Sequence, residues 1–266
     1  VIISNKLGWH QVPLKSKEPT FEPGVWKNIK SDARQMISYE GILTCWEQGN
    51  SLLGSAFKPQ LVSVHDPDEY LGQASDEGEF KIRYKHIIEA YRALTDLKAD
   101  GEIRGIGIGA KNWQVIEMLA DDISLDWVMF ANSMTIFKHP PELLNFMERA
   151  NRNGIGIINS AVFNAGFLIG GDYFDYQFIQ PDSIENKKAF KWRKDFFEIC
   201  KKHEIKPAAA CVHFGMSAPG VASISLNTSN PMRIKDNVES VVADVPADFY
   251  QEMKEKGLIS KDYPYV

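Results

Sequence analysis

Six short apolar runs punctuate the chain, at Val1–Leu7, Leu61–Asp66, Ile103–Gly109, Leu125–Ala131, Ile155–Ala161 and Val221–Leu226. Most are continuously apolar rather than alternating, as strands of a parallel sheet are when both faces are covered. Between them, apolar positions recur at helical spacing. Tyr39–Leu53 is the first such segment, and Lys81–Lys98 carries Ile87, Ala90, Tyr91, Leu94 and Leu97 on one face before Gly101 stops it. Trp113–Ala120 is short. Pro140 and Pro141 open a helix running to Arg152, with Gly154 beyond it. Asp182 or Ser183 is placed to cap a helix reaching His203, Pro207 opens one ending near Gly215, and Pro231–Val242 and Pro246–Lys256 complete the set. Repeats and low-complexity linkers are absent, so residues 1–266 are expected to form a single domain.

Strand–helix alternation predicts a parallel sheet, either open and doubly wound or closed into a barrel. An open sheet that binds a dinucleotide places GxGxxG in the turn after its first strand. Here "IRGIGIGAKN" lies mid-chain, with its glycines inside a strand. The better expectation is a (β/α)8 TIM barrel with six of its eight strands represented. The chain begins without Met, inside an apparent buried strand, so two upstream β/α units, roughly 45–60 residues, are expected to complete the barrel.

Composition changes this picture little. The net charge of -5 does not favour nucleic acid, and "KKAFKWRK" (187–194) reads as a solvated helix face. Cys45, Cys200 and Cys211 make no metal-ligand or redox spacing, which is consistent with a reducing, cytoplasmic setting. No apolar run approaches the ~20 residues of a membrane span. The histidines other than His65 show no metal spacing and are read as surface or packing residues, so no metal site is expected. The oligomeric state is left open.

In a barrel the chemistry gathers at the C-terminal ends of the strands. Those ends carry Lys6, His65, Lys111 with Asn112, Asn132 with Ser133, Asn164, and Asn227 to Ser229: polar groups on apolar strands.

Several of these segments resemble the aldo-keto reductase family. "VIISNKLG" is similar to the strand ending in that family's catalytic lysine, matching Lys6. "LVSVHDPDEY" is similar to the strand ending in its catalytic histidine, matching His65. "SNPMRIKDNVE" is similar to its cofactor-binding helix, where Arg233 and Asn237 match adenosine-side contacts. More narrowly, "VHDPDEY", "VFNAGFL" (162–168) and "FDYQF" (174–178) resemble the sugar 1-dehydrogenase branch: L-fucose, D-threo-aldose and L-galactose dehydrogenases.

The resemblance implies hydride transfer between a nicotinamide cofactor and C1 of an aldose, giving a lactone. His65 would orient the substrate oxygen, and Lys6 would tune a tyrosine acid–base. That tyrosine and its companion aspartate match no position here, and Tyr70 and Tyr84 are not promoted to the role. On the cofactor side the expectations are Lys111, Asn112, Asn164, Asn227, Thr228, Arg233 and Asn237. The family's nicotinamide-binding Gln aligns with Ala131, its stacking Tyr with Met134, and the Lys that meets an adenosine 2′-phosphate with Asn227. Loss of that Lys favours NAD, with NADP possible because Arg233 partly offsets it.

Other features keep two readings. "DPDE" (66–69) is a turn with solvated carboxylates, or Asp66 contacts substrate. Trp9 and Trp26, in the long loop from Gly8 to Ser38, wall a substrate pocket or pack locally. "GFLIGGDY" (166–173) cradles a pyrophosphate or is a flexible connection. The alternatives in function are an NADPH-dependent carbonyl reductase of another branch, and a nucleotide-binding barrel without catalysis.

Overall fold

A computed structural model describes residues 1–21, 28–54, 56–228 and 230–266. They form two compact units, Val1–Val128 and Met129–Val266.

In the first unit, β1 (Ser4–Leu7) is followed by an antiparallel pair, β2 (Trp9–Pro13) and β3 (Ser31–Gln35). The expected long loop from Gly8 to Ser38 therefore contains a two-stranded ribbon. Helix α1 (Tyr39–Leu53) has the bounds its pattern predicts, and Ser38 caps it by accepting the Gly41 N–H. Next come β1's neighbour in the parallel set, β4 (Leu61–His65), the short helix α2 (Pro67–Gly72) and the long helix α3 (Glu77–Ala99). Helix α3 starts four residues before the expected Lys81, because Asp76 caps it by accepting the Glu79 N–H. Strand β5 (Gly105–Ala110) and helix α4 (Trp113–Ala120) follow, the latter capped by Asn112 through the Gln114 N–H. Each such cap contributes about 1 kcal/mol.

Parallel pairing runs β1 to β4 and β4 to β5, in the register Lys6 to Ser63 and His65 to Gly109. The core between these strands and α1, α3 and α4 holds Ile42, Val62, Val64, Ile87, Leu94, Ile108 and Ile116, all fully buried. Strand β6 (Trp127–Ala131) straddles the division between the units.

The second unit contains α5 (Pro141–Arg152), β7 (Gly156–Ser160), a small hairpin β8 (Tyr173–Phe174) with β9 (Gln177–Phe178), α6 (Lys187–Lys202), α7 (Pro207–Ser217), β10 (Val221–Ser225), α8 (Arg233–Val241) and α9 (Ala247–Glu255). Strands β7 and β10 pair in parallel. Helix α6 begins later than the expected cap at Asp182 or Ser183. The Ser183 carbonyl accepts the Asn186 and Lys187 N–H groups, closing a turn before the helix proper. The core here is aromatic: Phe130, Phe167, Phe196, Phe214 and Phe249 are fully buried. All three cysteines are buried free thiols, and burial raises Cys200 to about 12. Among the described residues no helix is long and apolar enough to cross a membrane.

Candidate active site

Lys6 and His65 stand at the C-terminal ends of two adjacent parallel strands, β1 and β4. A single carboxylate joins them. Asp66 Oδ1 lies 3.5 Å from Lys6 Nζ, and Asp66 Oδ2 lies 3.3 Å from His65 Nε2. The Lys6 side chain is 44% exposed, so its pair with Asp66 contributes at most about 1 kcal/mol to stability. The pair brings the Lys6 ammonium and the His65 imidazole to one carboxylate.

The backbone makes this contact at a cost. Asp66 is left-handed, at φ 43° and ψ 59°, directly before Pro67. Such a conformation costs about 1–3 kcal/mol, and a residue preceding proline is further restricted. Its carbonyl accepts the Glu69 and Tyr70 N–H groups and so begins α2. Burial pushes the Asp66 carboxyl upward, but the His65 hydrogen bond and the charges of Lys6, His65 and Lys111 outweigh it and hold the group below its ordinary value.

The neighbouring acids are also engaged. Asp68 Oδ2 accepts the backbone N–H of Lys111 (3.0 Å) and of Asn112 (2.9 Å), and Lys111 Nζ donates to Glu69 Oε1 at 2.6 Å. The expected solvated "DPDE" turn is thus a helical turn whose carboxylates organise the rim, correcting that reading. Asp68 was missed because two acids flanking a proline read locally as a turn. Asn112 caps α4, and Lys111 is ion-paired. Trp9 lies in β2 with its ring 5.8 Å from Phe21. Trp26 lies outside the described residues. The two tempting tyrosines have other partners: Tyr70 with His86 at 2.8 Å, and Tyr84 with Asp122 at 2.5 Å.

In the second unit, the turn after β7 is strained. Ala161, Asn164 and Ala165 all take positive φ, followed by Gly166 and Gly170. Asn164 is fully buried and donates from Nδ2 to Asp175 Oδ1 at 2.8 Å, while its Oδ1 has no partner. Asn132 and Asn159 also bury side-chain oxygens without partners. Arg193 braces the turn from α6. Its guanidinium donates to the carbonyls of Phe167 (3.3 Å) and Gly171 (2.7 Å) and stacks on Phe167 and Phe190. The Gly-rich segment, for which a pyrophosphate cradle and a flexible connection are equal readings in sequence, is anchored by these bonds. Asn227, Thr228 and Arg233 are exposed and Asn237 half-buried. Thr228 is engaged locally, accepting the Asn230 N–H. Met134 is fully buried and serves as core.

Unpartnered buried amide oxygens fit the N–H donors of a carboxamide, and the cation at the start of α8 fits a phosphate. These acceptors and this cation are of the kinds that a nicotinamide dinucleotide calls on.

A parallel β/α chain with a lysine and a histidine at adjacent strand ends defines the class. Residues 1–257 match the aldo/keto reductase family model, and the chain belongs to that family. It is 27% identical over 229 residues to a pyridoxal 4-dehydrogenase of Microbacterium luteolum, covering 84% of this chain and 64% of that protein. It is 25% identical over 204 residues to a D-threo-aldose 1-dehydrogenase of a Pseudomonas species, covering 75% and 56%. The chain thus spans less than two thirds of the length of these relatives. Among solved structures, the holo form of an aldo-keto reductase from Bacillus halodurans superposes with a TM-score of 0.63 at 17% identity, covering 98% of this chain and 73% of that one. That likeness shows the fold, a (β/α)8 barrel, of which six parallel strands are represented here.

Proposed function

We propose that the protein is a nicotinamide-dependent oxidoreductase that acts at C1 of an aldose, oxidising the sugar to a lactone. The observation that carries this is the Lys6–Asp66–His65 cluster at the ends of β1 and β4. The D-threo-aldose 1-dehydrogenase relative supports the substrate class.

A bound nicotinamide would supply the hydride-accepting chemistry. The chain's own residues position and discharge the substrate. His65 hydrogen-bonds the reacting oxygen, within the reach a proton donor or acceptor needs. Lys6 places a cation beside the acid–base group, which favours its anionic form. The resemblance gives that acid–base role to a tyrosine that matches no position among these residues. Asn164, Asn227, Thr228, Arg233 and Asn237, with Lys111 and Asn112, are the proposed cofactor contacts. NAD is preferred because Asn227 brings no charge toward a 2′-phosphate. The proposed setting is the reducing cytoplasm, with which the three free thiols are consistent.

The test mixes the protein with NAD or NADP and, separately, L-fucose, L-galactose, D-arabinose and pyridoxal, and follows nicotinamide absorbance. Reduction of NAD by one of the sugars supports the reading. Turnover with pyridoxal alone moves the substrate to another aldehyde. A second reading, a nucleotide-binding barrel without catalysis, is favoured by Ala131 and the buried Met134 at two positions where the family contacts nicotinamide. Cofactor binding by equilibrium titration with no turnover on any substrate selects it.

A further inference from the structure

An aspartate at a helix N-cap ordinarily accepts the N–H of the second or third helical residue. Asp66 occupies that position ahead of α2 and makes no such bond. Its carboxylate is turned instead to Lys6 on one side and His65 on the other. It holds this orientation from a left-handed backbone that side chains rarely adopt. Two local preferences are thus set aside at one residue, and one contact is gained. Strain of this kind gathers at functional sites.

We infer that Asp66 is the positioning carboxylate of this cluster, clamping the Lys6 ammonium and the His65 imidazole with one oxygen each rather than touching substrate. This deepens the oxidoreductase reading and rests on it for its meaning in catalysis; the clamp can be tested without turnover. A carboxylate only accepts hydrogen bonds, so the facing nitrogen of a neutral His65 must carry its hydrogen. Asp66 therefore selects the Nε2–H tautomer and leaves Nδ1 as an acceptor. The carboxylate also lies opposite the ammonium whose position matters most for tuning an acid–base group. The groups facing it are Lys6 from β1, His65 from the end of β4 and Lys111 from the turn after β5.

The experiment compares the wild type with Asp66→Gly and Asp66→Asn. Glycine removes the carboxylate and accepts the left-handed backbone freely, so D66G is expected to melt no lower than wild type. Nitrogen NMR of histidine-labelled protein at about pH 8, above the ordinary imidazole range near ~6.5, reports the His65 tautomer. Wild type is expected to show the Nε2–H form, D66G a mixture and D66N the wild-type form, since an amide oxygen still accepts. Amine acylation read by mass spectrometry is expected to label Lys6 several-fold faster in both variants, with Lys111 as internal reference. A folded D66G with unchanged His65 tautomer and unchanged Lys6 labelling overturns the clamp. A confirmed clamp in a protein that turns over no substrate would overturn the oxidoreductase reading alone.

Discussion

Replacing Gly107 with alanine tests why a parallel strand carries the sequence "GIGIGA" (105–110). A Cβ at Gly107 would lie 2.0, 2.1 and 2.5 Å from three indole atoms of Trp127, whose ring lies over the glycine with 6% exposure. Carbon pairs rest at about 3.5–4.0 Å, so the ring must retreat by roughly 1.5 Å. It has little room to do so in a close-packed interior. Overpacking of this kind costs about 1–3 kcal/mol, and a clash with the body of an indole belongs at the upper end. The small gain from removing a strand glycine, about 0.5–1 kcal/mol, does not offset it. We expect a destabilisation of about 2–3 kcal/mol. The assay is native-state hydrogen exchange at Ile106 and Ile108, buried in the same strand. Their protection should fall by about two orders of magnitude, at 1.4 kcal/mol per tenfold. Trp127→Leu vacates the space, so the double variant should be more stable than the sum of the two single changes predicts, by about 1–2 kcal/mol. Protection in G107A within 0.5 kcal/mol of wild type, or strict additivity at about 0.5 kcal/mol, would refute the reasoning.

Three further outcomes follow from the hydrogen-bond pattern. The backbone N–H of Ser75, then its hydroxyl and Arg83, lower Glu79 to about 2, so its contribution is complete above the ordinary carboxylate range and is lost as pH falls from there toward 2; Glu79→Gln should erase that acid dependence of helix content by circular dichroism. Burial lowers the His139 imidazole, which accepts the Ser260 N–H at Nε2 (3.1 Å) while Nδ1 faces the Thr135 carbonyl. A base depressed in the folded state loses stability as pH falls below its unfolded value near ~6.5, so Ser260 exchange should accelerate there beyond its intrinsic pH trend, and less so in His139→Gln. Arg193→Met keeps the stacking bulk but removes both bonds to the Phe167 and Gly171 carbonyls; the expected cost is about 2 kcal/mol, read by thermal unfolding, with exchange in residues 166–171 rising most.

Legibility followed the range of the forces involved. The inner strands, such as the fully buried β5, and most helix bounds were readable because burial on both faces and helical periodicity are local signals, whereas β1 and β10 are largely exposed or half-buried and only their apolar runs marked them. Helix α1 has the expected ends because Ser38 and Gly54 are local cap residues. The β2–β3 ribbon was not readable: "WHQVP" and "SDARQ" carry no strong alternation, and their pairing is set across the chain. The start of α6 slipped for the same kind of reason, since Ser183 offers a carbonyl rather than a side-chain cap. Gly105 and Gly107 were legible as lying inside a strand, but Leu61 and Trp127, which demand the missing side chains, are partners that only folding brings close.

The site divides along the same line. Lys6 and His65 announce themselves as polar ends on apolar strands, because strand termini are fixed by pattern. What joins them is invisible locally: in sequence, Asp66 before Pro67 is an ordinary turn. Only parallel pairing of β1 with β4 brings Lys6 to the strand that ends at His65, and only a left-handed Asp66 aims one carboxylate at both. Asp68 follows the same logic one turn further along, taking two backbone N–H groups beyond β5. The pairs at Lys6 and Lys111 are too exposed to stabilise the fold appreciably, so stability does not account for the strain at Asp66. A strained residue whose bonds add little stability, placed between two groups of the kind that move protons, is best explained by the positions it imposes on them.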